Sequence, residues 1–585
     1  MHRKILMIYP EFPTTYWSFK HSLAFVNKKS SIIPLGLITV ASLLPEDWES
    51  KLVDMNVEPL RREDVEDADM VFLSAMIVQR RSFDEVVRLC NECGTPVVAG
   101  GPFPTALHGE ISGVDHFVLN EAETTLPGFI RDYEAGNAKH LYESQERPDI
   151  TKTPAPRFDL VDFSKYQNAA IQNSRGCPYN CEFCDIIELF GRNPRFKDPD
   201  QFVREMDLAY RNGARGSIFI VDDNFIGNKR KVKELLRKII EWQREHAYPF
   251  ALFTEASVDL AADDELLALM VEAGFDMVFV GIETPDAAAL AECSKGQNLR
   301  SGLFESVEKI QRAGIEVTAG FIVGFDSDGD DIFDRQIDFI QRAGIPMAMV
   351  GLLSAITGTQ LYRRLEKEGR LKADNNWQGS NTNDLQLTFV PRMPEARLVE
   401  GYKKIIATIY SPRRYFERCR VFIDRLPAAS VRTDPPLTMT DIRAFFLSLV
   451  KQTFSRYGLS YLRFLARVAL RNPSAFALAV RFAIKGYHLF IMTRDILKAD
   501  EYSTYLGRVQ GFVRESIARL GAISESVHAL EVEKIEKRLA LLVKTLGRKY
   551  RRLNGEMRIF YAAQFREAQA FFSGSISSLK KNSPY

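Results

Sequence analysis

The chain has 585 residues, too many for one core, and at roughly 100–200 residues per domain its length points to three or four domains. Hydrophobic residues make up 46% and charged residues 26%, a globular composition. Lys plus Arg number 77 against 76 Asp plus Glu, and the resulting net charge of +1 excludes a globally basic nucleic-acid binder and an acidic solvating chain alike. No stretch reaches the roughly 18 uncharged apolar residues of a spanning helix. The N-terminus carries only a short apolar run after Arg3 and Lys4, so it reads as a buried strand and not a signal peptide. Seven cysteines, three of them clustered, are too few for a disulfide scaffold and point to a reducing cytoplasm.

Residues 1–145 alternate short apolar runs with helical patterns. Strands are predicted at 5–8, 51–54, 70–74, 96–99 and 116–119, with a helix-length segment at 35–44 and helical spacing at Phe83, Val86, Val87 and Cys90. Apolar strands alternating with helices imply a doubly wound parallel sheet, whose ligands sit at the strands' C-terminal edge. Residues 146–168, broken by Pro148, Pro154 and Pro156, read as a linker. From 169 to 390 the alternation restarts, with six strands predicted at 169–172, 217–221, 250–253, 277–280, 317–324 and 347–353. Six β/α units suggest a partial parallel barrel with its chemistry at the strand C-termini. Residues 391–585 read as helices, and 451–500 carry nine Lys or Arg and two Asp among many aromatic and aliphatic residues.

The strongest local signal is Ser174-Arg175-Gly176-Cys177-Pro178-Tyr179-Asn180-Cys181-Glu182-Phe183-Cys184. Thiolates spaced C-x3-C-x2-C can hold three irons of a cubane from one loop, leaving the fourth iron open. Zinc competes for this reading, but a structural zinc wants four ligands and no second cysteine knuckle or histidine pair follows. Cys90-x2-Cys93 is a weaker pair without a partner knuckle, and Cys293 and Cys419 stand alone.

Cys177, Cys181, Phe183 and Cys184 resemble the signature of the radical S-adenosylmethionine (SAM) enzymes. The resemblance implies a [4Fe–4S] cluster held by Cys177, Cys181 and Cys184, with SAM on the open iron. It further implies a 5′-deoxyadenosyl radical that removes a hydrogen atom from an unreactive carbon, and an electron donor such as flavodoxin or ferredoxin. The family fold is the partial six-strand barrel that the alternation suggests. By the same resemblance Asp222, Asp223 and Asn224 close the second strand near the methionine amino group, Glu255 and Ser257 close the third, and Glu283 closes the fourth near the ribose. Ile322 and Gly324 would flank adenine in Gly320-Phe321-Ile322-Val323-Gly324. The family often has Glu three residues after that second glycine; here it is Ser327, beside Asp326. Carboxylates suit an ammonium or a pair of hydroxyls, although each could instead cap a helix or form a surface ion pair.

The fingerprint G-x-G-x-x-G is absent from the N-terminal sheet, so a dinucleotide is not expected there. Asp54-Met55-Asn56, Ser74-Ala75-Met76 and Gly100-Gly101-Pro102 resemble instead the cobalamin-binding pattern D-x-H-x-x-G, S-x-L, G-G. The resemblance assigns Asp54, Asn56, Ser74, Gly100 and Gly101 to cobalamin, with small residues lining a slot for the nucleotide tail. Asn56 stands at the histidine position and is a poor cobalt ligand beside imidazole, which leaves the lower face vacant, watered or shielded by a loop such as 76–80.

Further segments, among them Gly191-Arg192-Asn193-Pro194-Arg195 and Gly281-Ile282-Glu283-Thr284-Pro285, resemble the cobalamin-binding radical SAM subgroup with a helical C-terminal extension, to which the hopanoid C-2 methylase belongs. The resemblance implies methylation of an unactivated carbon of a small-molecule or lipid substrate through methylcobalamin. Cyclisation, rearrangement or oxidation on the same architecture is the alternative, and a non-catalytic cobalamin- or SAM-binding regulator a third. No residue is assigned to face the cobalt. The C-terminal helices, with Arg463, Arg467, Arg471, Arg481 and Lys485, read either as a lid on the barrel or as a peripheral membrane contact of a cytoplasmic protein.

Overall fold

The computed structural model describes residues 2–300, 302–373, 379, 382, 385–427, 438–520 and 525–581. Of the two C-terminal regions expected from sequence, 301, 374–378, 380–381, 383–384, 428–437, 521–524 and 582–585 lie outside the described residues. In chain order the strands are β1 (Arg3–Tyr9), β2 (Ser30–Ile32), β3 (Trp48–Asp54), β4 (Met70–Ser74), β5 (Val97–Gly100), β6 (His116–Val118), β7 (Leu141–Tyr142), β8 (Tyr166–Ile171), β9 (Ser174–Arg175), β10 (Arg195–Phe196), β11 (Gly216–Ile220), β12 (Phe250–Ala256), β13 (Phe275–Glu283), β14 (Glu316–Val323) and β15 (Ala348–Leu352).

One sheet has the order β3-β1-β4-β5-β6-β7, with every pair parallel. Alternate residues of its strands enter two different cores. Leu6, Ile8, Val71, Leu73, Val97 and Ala99 pack on one face, and Ile5, Met7, Met70, Phe72 and Val98 on the other. Helices therefore cover both faces, which is why these strands are apolar throughout. The strand order reverses between β1 and β4, the point at which such sheets open a crevice for ligand.

The second sheet has the order β15-β14-β13-β12-β11-β8-β2, again all parallel. Its six later strands follow in chain order with helices between them, including Lys229–Glu245 and Ile332–Arg342, and form a half-barrel. The seventh strand, β2, comes from the N-terminal region and pairs Ser30 and Ile32 with Tyr166 and Asn168 of β8. Three residues, two of them serine, carry no apolar run, so the sequence gives no sign of it. On β11, β12 and β13 the part-exposed residues Phe219, Phe253 and Phe279 alternate with buried Ile218, Leu252 and Val278 and line the concave face. Phe219 and Phe253 stack at 4.8 Å, and Trp17, from the segment after β1, meets Phe279 edge-on at 5.3 Å.

Residues 146–168 form three short 3-10 turns whose Ile150, Phe158 and Phe163 are buried, so this stretch is packed down as a strap. Beyond β15 the chain is helical, with Glu395–Ile409, Pro412–Arg425, Met439–Thr453 and Gly458–Arg471 preceding the long helix Phe476–Leu520. Fully buried Arg418 fastens Pro412–Arg425 to the barrel by donating to the carbonyls of Ile345 (2.8 Å), Pro346 (3.2 Å) and Ile409. The stretch Pro473–Leu520 is long and apolar enough to cross a bilayer by length and composition, which the sequence reading did not anticipate, with a mean hydropathy of 1.4 in its most apolar window. That window is 56% buried, and Arg481 and Lys485 of this helix pair with Asp276 and Glu316, which is the behaviour of a core helix.

Residues 489–585 form a second compact unit. Its helices Glu525–Arg551 and Ala562–Lys581 bury Leu539, Leu546 and Phe572 with Tyr502 and Val509. Tyr550 stacks on Phe565 at 4.1 Å.

Candidate active site at the edges of two sheets

The cysteine loop leaves the half-barrel just after β8. Its entry is clamped by Asp222, at the end of β11, which accepts hydrogen bonds from Asn173 N (2.7 Å), Asn173 Nδ2 (3.0 Å), Ser174 N (2.9 Å) and Ser174 Oγ (2.7 Å). A carboxylate with four internal donors and 1% exposure has no lone pair left for a ligand. Asp222, expected beside the SAM amino group, therefore positions the loop instead. Gly176 follows with φ 95°, and a Cβ there would stand 2.7 Å from Gly191 O, to which Cys177 N donates at 3.2 Å. Glu182 N donates to Cys293 O at 3.0 Å, and Arg364 pairs with the Glu182 carboxylate at 2.6 Å. Arg175 and Arg195 both reach buried Glu121, just beyond β6, at 2.8 Å, so the loop is also tied to the first sheet.

Cys177, Cys181 and Cys184 are free thiols. Burial raises the pKa of all three, while the Lys295 ammonium pulls Cys181 back down. Among the described residues no three His, Cys, Asp or Glu side chains converge as the ligands of one ion would. In a cubane each thiolate sits on its own iron, so these three need not converge, and three sulfurs carried on one braced loop fit that group. Half-buried Phe183 points inward onto the apolar cluster of Ile322, Phe325 and Leu353.

Three further carboxylates stand at successive strand ends. Asp223 accepts from Gly176 N at 2.8 Å, and the Glu255 carboxylate accepts no hydrogen bond among the described residues, although its main-chain carbonyl accepts from Phe225 N at 2.9 Å. Burial first, and then repulsion from Asp222 and Asp185 on Asp223 and from Asp223 and Glu283 on Glu255, raise the two to about 7 each. Glu283 sits at the register shift between β13 and β14 with φ 63°, at the centre of a γ-turn closed by Thr284 N on Ile282 O at 2.8 Å. Its carboxylate pairs with Lys295, so the ribose role expected for it has a competitor already in place. Gly281 makes room for the pair, since a Cβ there would come within 2.5 Å of both Glu283 Oε1 and Lys295 Nζ. Three carboxylates against one lysine leave the concave face short of positive charge. The unpartnered Glu255 in particular fits a cationic ligand such as the ammonium and sulfonium of SAM.

Asn224 and Ser257 do not face that space with free groups. Asn224 Oδ1 accepts from Ser257 N (3.2 Å), and Ser257 Oγ donates to Asp259 (2.5 Å), which also pairs with Lys229. Both brace the loop ends where ligand contacts were expected. Gly324 (φ 111°) turns away from β14, and Asp328 Oδ2 accepts from Gly324 N (2.7 Å) and Phe325 N (3.0 Å). Asp328 thus closes this turn with a carboxylate, one residue beyond Ser327, where the resemblance led to an expected Glu. Asp326 is held by Arg370 and Arg364, and Ser327 by Glu292. Sequence reasoning also missed the segment 295–298. Lys295 pairs with Glu283, Gln297 Nε2 approaches Cys181 Sγ at 3.8 Å, and Asn298 Nδ2 holds the carbonyls of Gly281 and Ile282 at 3.0 Å. The only sign of it in the sequence was a polar run directly after Cys293.

At the edge of the first sheet a cavity of about 290 Å³ is lined by Ser74, Gly100, Gly101, Leu37, Leu126 and Val221, among others. A Cβ on Gly100 would stand 2.7 Å from Val118 O, and one on Gly101 (φ 88°) would stand 2.5 Å from Ser74 Oγ. Side chains there would close the slot, so the residues present fit a bulky tail passing close to the backbone, as cobalamin requires. Asp54 and Asn56 do not take part. Asn56 donates through Nδ2 to Asp54 Oδ1 (2.7 Å) and Pro10 O (3.2 Å) and accepts from Phe12 N (2.8 Å), while Asp54 Oδ2 accepts the Tyr166 hydroxyl (2.9 Å). The two residues fasten the segment after β1, and β8, to the end of β3, which corrects their assignment as cofactor contacts.

The Radical SAM superfamily matches residues 171–340, the B12 binding domain residues 22–130, and a domain of unknown function (DUF4070) residues 359–502. An uncharacterized methyltransferase of Synechocystis sp. (strain ATCC 27184 / PCC 6803 / Kazusa) is 40% identical over 91% of this chain and 99% of its own length. The hopanoid C-2 methylase of Rhodopseudomonas palustris (strain TIE-1) is 32% identical over 86% of this chain and 97% of its own. The chain belongs to the cobalamin-dependent radical SAM methyltransferase family. Among solved structures of this architecture, the radical SAM methyltransferase TsrM from Kitasatospora setae, with cobalamin and a [4Fe–4S] cluster bound, has a TM-score of 0.56 at 15% identity, covering 83% of this chain and 99% of that one. The cobalamin-dependent radical enzyme OxsB has a TM-score of 0.54 at 16% identity, covering 84% and 80%. This family member is an enzyme whose cofactors are a [4Fe–4S] cluster, SAM and cobalamin.

Proposed function

We propose that the enzyme methylates an unactivated carbon of an apolar, lipid-class small molecule. The observation that carries this reading is the concave face of the half-barrel, where Phe219, Phe253 and Phe279 form an aromatic wall under Trp17 with the carboxylates at one end. Three phenylalanine rings offer a ligand no hydrogen bond, which suits a hydrocarbon skeleton, and they exclude water from the carbon to be modified. The relative whose name assigns it a hopanoid points the same way. When bound, the cluster, SAM and cobalamin would supply hydrogen-atom abstraction and a transferable methyl group. The chain's own residues bind and orient. Cys177, Cys181 and Cys184 would hold the cluster, Asp223 and Glu255 would attract the positive charge of SAM, and Ser74, Gly100 and Gly101 would admit the cobalamin tail. A flavodoxin or ferredoxin in a reducing cytoplasm would deliver the electron.

The test is anaerobic reconstitution with reductant, SAM, hydroxocobalamin and a panel of lipid extracts, with nucleoside products and substrate mass read by mass spectrometry. The reading expects 5′-deoxyadenosine and S-adenosylhomocysteine in equal amounts, with a lipid gaining one methyl group. 5′-Deoxyadenosine alone, with no mass gain, would replace it with the cyclisation or rearrangement reading.

A further inference from the structure

The helices Met439–Thr453 and Gly458–Arg471 form an antiparallel pair with an unusual distribution of side chains. The buried stripe of the first is Ala444, Ser448 and Gln452, at i, i+4 spacing and mostly polar. Gln452 Nε2 donates to Ser448 Oγ at 2.9 Å, and that hydroxyl shares a hydrogen bond with Tyr461 of the second helix at 3.1 Å. The opposite stripe, two residues out of phase, is Ile442, Phe446 and Val450, with Phe454 just past the helix end. It faces outward, with Phe446 58%, Val450 60% and Phe454 87% exposed. On the second helix Tyr461, Phe464 and Val468 pack inward, Phe464 stacking on Phe416 at 4.9 Å, while Leu470 is 85% exposed. The first helix thus buries Ser448 and Gln452 while an apolar stripe stays exposed, an unusual arrangement for a helix that faces water.

The charges on these two helices are predominantly positive. From 438 to 472 there are six cations (Arg443, Lys451, Arg456, Arg463, Arg467 and Arg471) against one acid, Asp441. All six are exposed and none forms an ion pair among the described residues, and only Lys451 is engaged otherwise, its Nζ lying 4.9 Å over the Phe25 ring. An apolar stripe with Arg443 and Arg456 next to it in the chain, on a helix pair of strong positive charge, matches a surface with an apolar interior and an anionic rim.

We propose that this helix pair docks the enzyme onto the surface of an anionic phospholipid bilayer, the aromatic and aliphatic stripe entering the headgroup–acyl boundary and the arginines meeting lipid phosphates. A second copy of the chain would be a poor occupant, because it would bring five net positive charges against five. The proposal does not depend on the substrate reading.

The test uses the full chain, reconstituted anaerobically, in flotation with vesicles of phosphatidylcholine alone or with about one-third phosphatidylglycerol. The protein is expected to float with the mixed vesicles, less so as salt rises, and weakly with phosphatidylcholine alone. The double variant Phe446→Ser/Phe454→Ser is expected to lose about tenfold or more in vesicle partitioning. Arg463→Gln/Arg467→Gln is expected to lose about tenfold on the anionic vesicles only. Retained cobalamin and unchanged SAM cleavage in both variants would show that the fold is intact. No flotation of the parent protein, or equal flotation of the serine variant, would overturn the proposal. So would a parent dimer that the serine variant converts to monomer, which would make the face a self-interface.

Discussion

The two sheets carry their chemistry at the same edge but with opposite materials. At the C-terminal edge of the first sheet the deciding residues are Ser74, Gly100 and Gly101, and the slot exists because side chains are missing. At the same edge of the half-barrel the deciding residues are three cysteines and the carboxylates Asp223, Glu255 and Glu283, and the site exists because charge is concentrated there. A large preformed cofactor needs room close to the backbone. A small cationic one needs uncompensated negative charge behind a wall that excludes water. Each half should therefore fail separately.

The largest separation is expected from Cys181→Ala. Removing one of three cluster ligands should abolish 5′-deoxyadenosine formation and the cluster absorbance while leaving cobalamin bound, read from the absorption spectrum after gel filtration. The converse variant is Gly101→Val. Its β-branched side chain would stand at φ 88° against Ser74 Oγ, and it is expected to weaken cobalamin retention at least about 100-fold with the cluster spectrum unchanged. If either variant removed both cofactors, the two edges would not be independent, and the Arg175–Glu121 and Arg195–Glu121 pairs would be the coupling to examine first.

This contrast also explains what the sequence disclosed. The cysteine spacing and the Gly-Gly pair are local, because a loop that holds a cluster and a turn that admits a tail are each written within about ten residues. The alternation of apolar strands was legible for the same reason. Which carboxylate meets ligand was not legible. Asp222 and Asp223 are adjacent and so point to different sides of the chain, one to four internal donors and the other toward the barrel, and only the fold says which. Nor could Asn56 be separated from a ligand position, because its partners Pro10, Phe12 and Tyr166 lie 44 or more residues away or act through Asp54. The pairing of Glu283 with Lys295 needed a γ-turn that no propensity predicts.

That pair gives a smaller test within the charged half. Lys295 and Glu283 are 11% and 9% exposed as side chains, so Lys295→Met strands a carboxylate in a poorly solvated site. The expected loss is about 3–5 kcal/mol of stability, seen as a lower thermal midpoint of the apo protein. The double variant Lys295→Met/Glu283→Gln should recover much of it, because no charge is then left unpaired. A single variant as stable as the parent would mean that water already reaches the pair.

The smallest effect expected is a pH dependence of SAM binding that cobalamin binding should lack. Asp223 and Glu255 are raised in the folded apo protein to about 7, from ordinary values of 3.8 and 4.5, by burial first and by neighbouring carboxylates second. Between about pH 4 and 7 the folded protein therefore holds protons that the unfolded chain has already released, so the contribution of these groups to stability is largest below that window and is lost as pH rises through about 7. A cationic ligand reverses this preference, since it favours the ionised carboxylates. SAM affinity should rise with pH up to about 7, by at most about tenfold per unit for each group, and then level off. Because the two groups repel one another they titrate as a pair, and the rise should be spread over more than one unit. Calorimetry at pH 6.5 in two buffers of different ionisation enthalpy should detect proton release on SAM binding, and Glu255→Gln should reduce it. Cobalamin binding should release none over the same range, because the two carboxylates lining its slot, Glu121 and Glu123, are already paired with Arg175. A flat SAM affinity from pH 5.5 to 8 would mean that these carboxylates do not face the cationic part of the ligand.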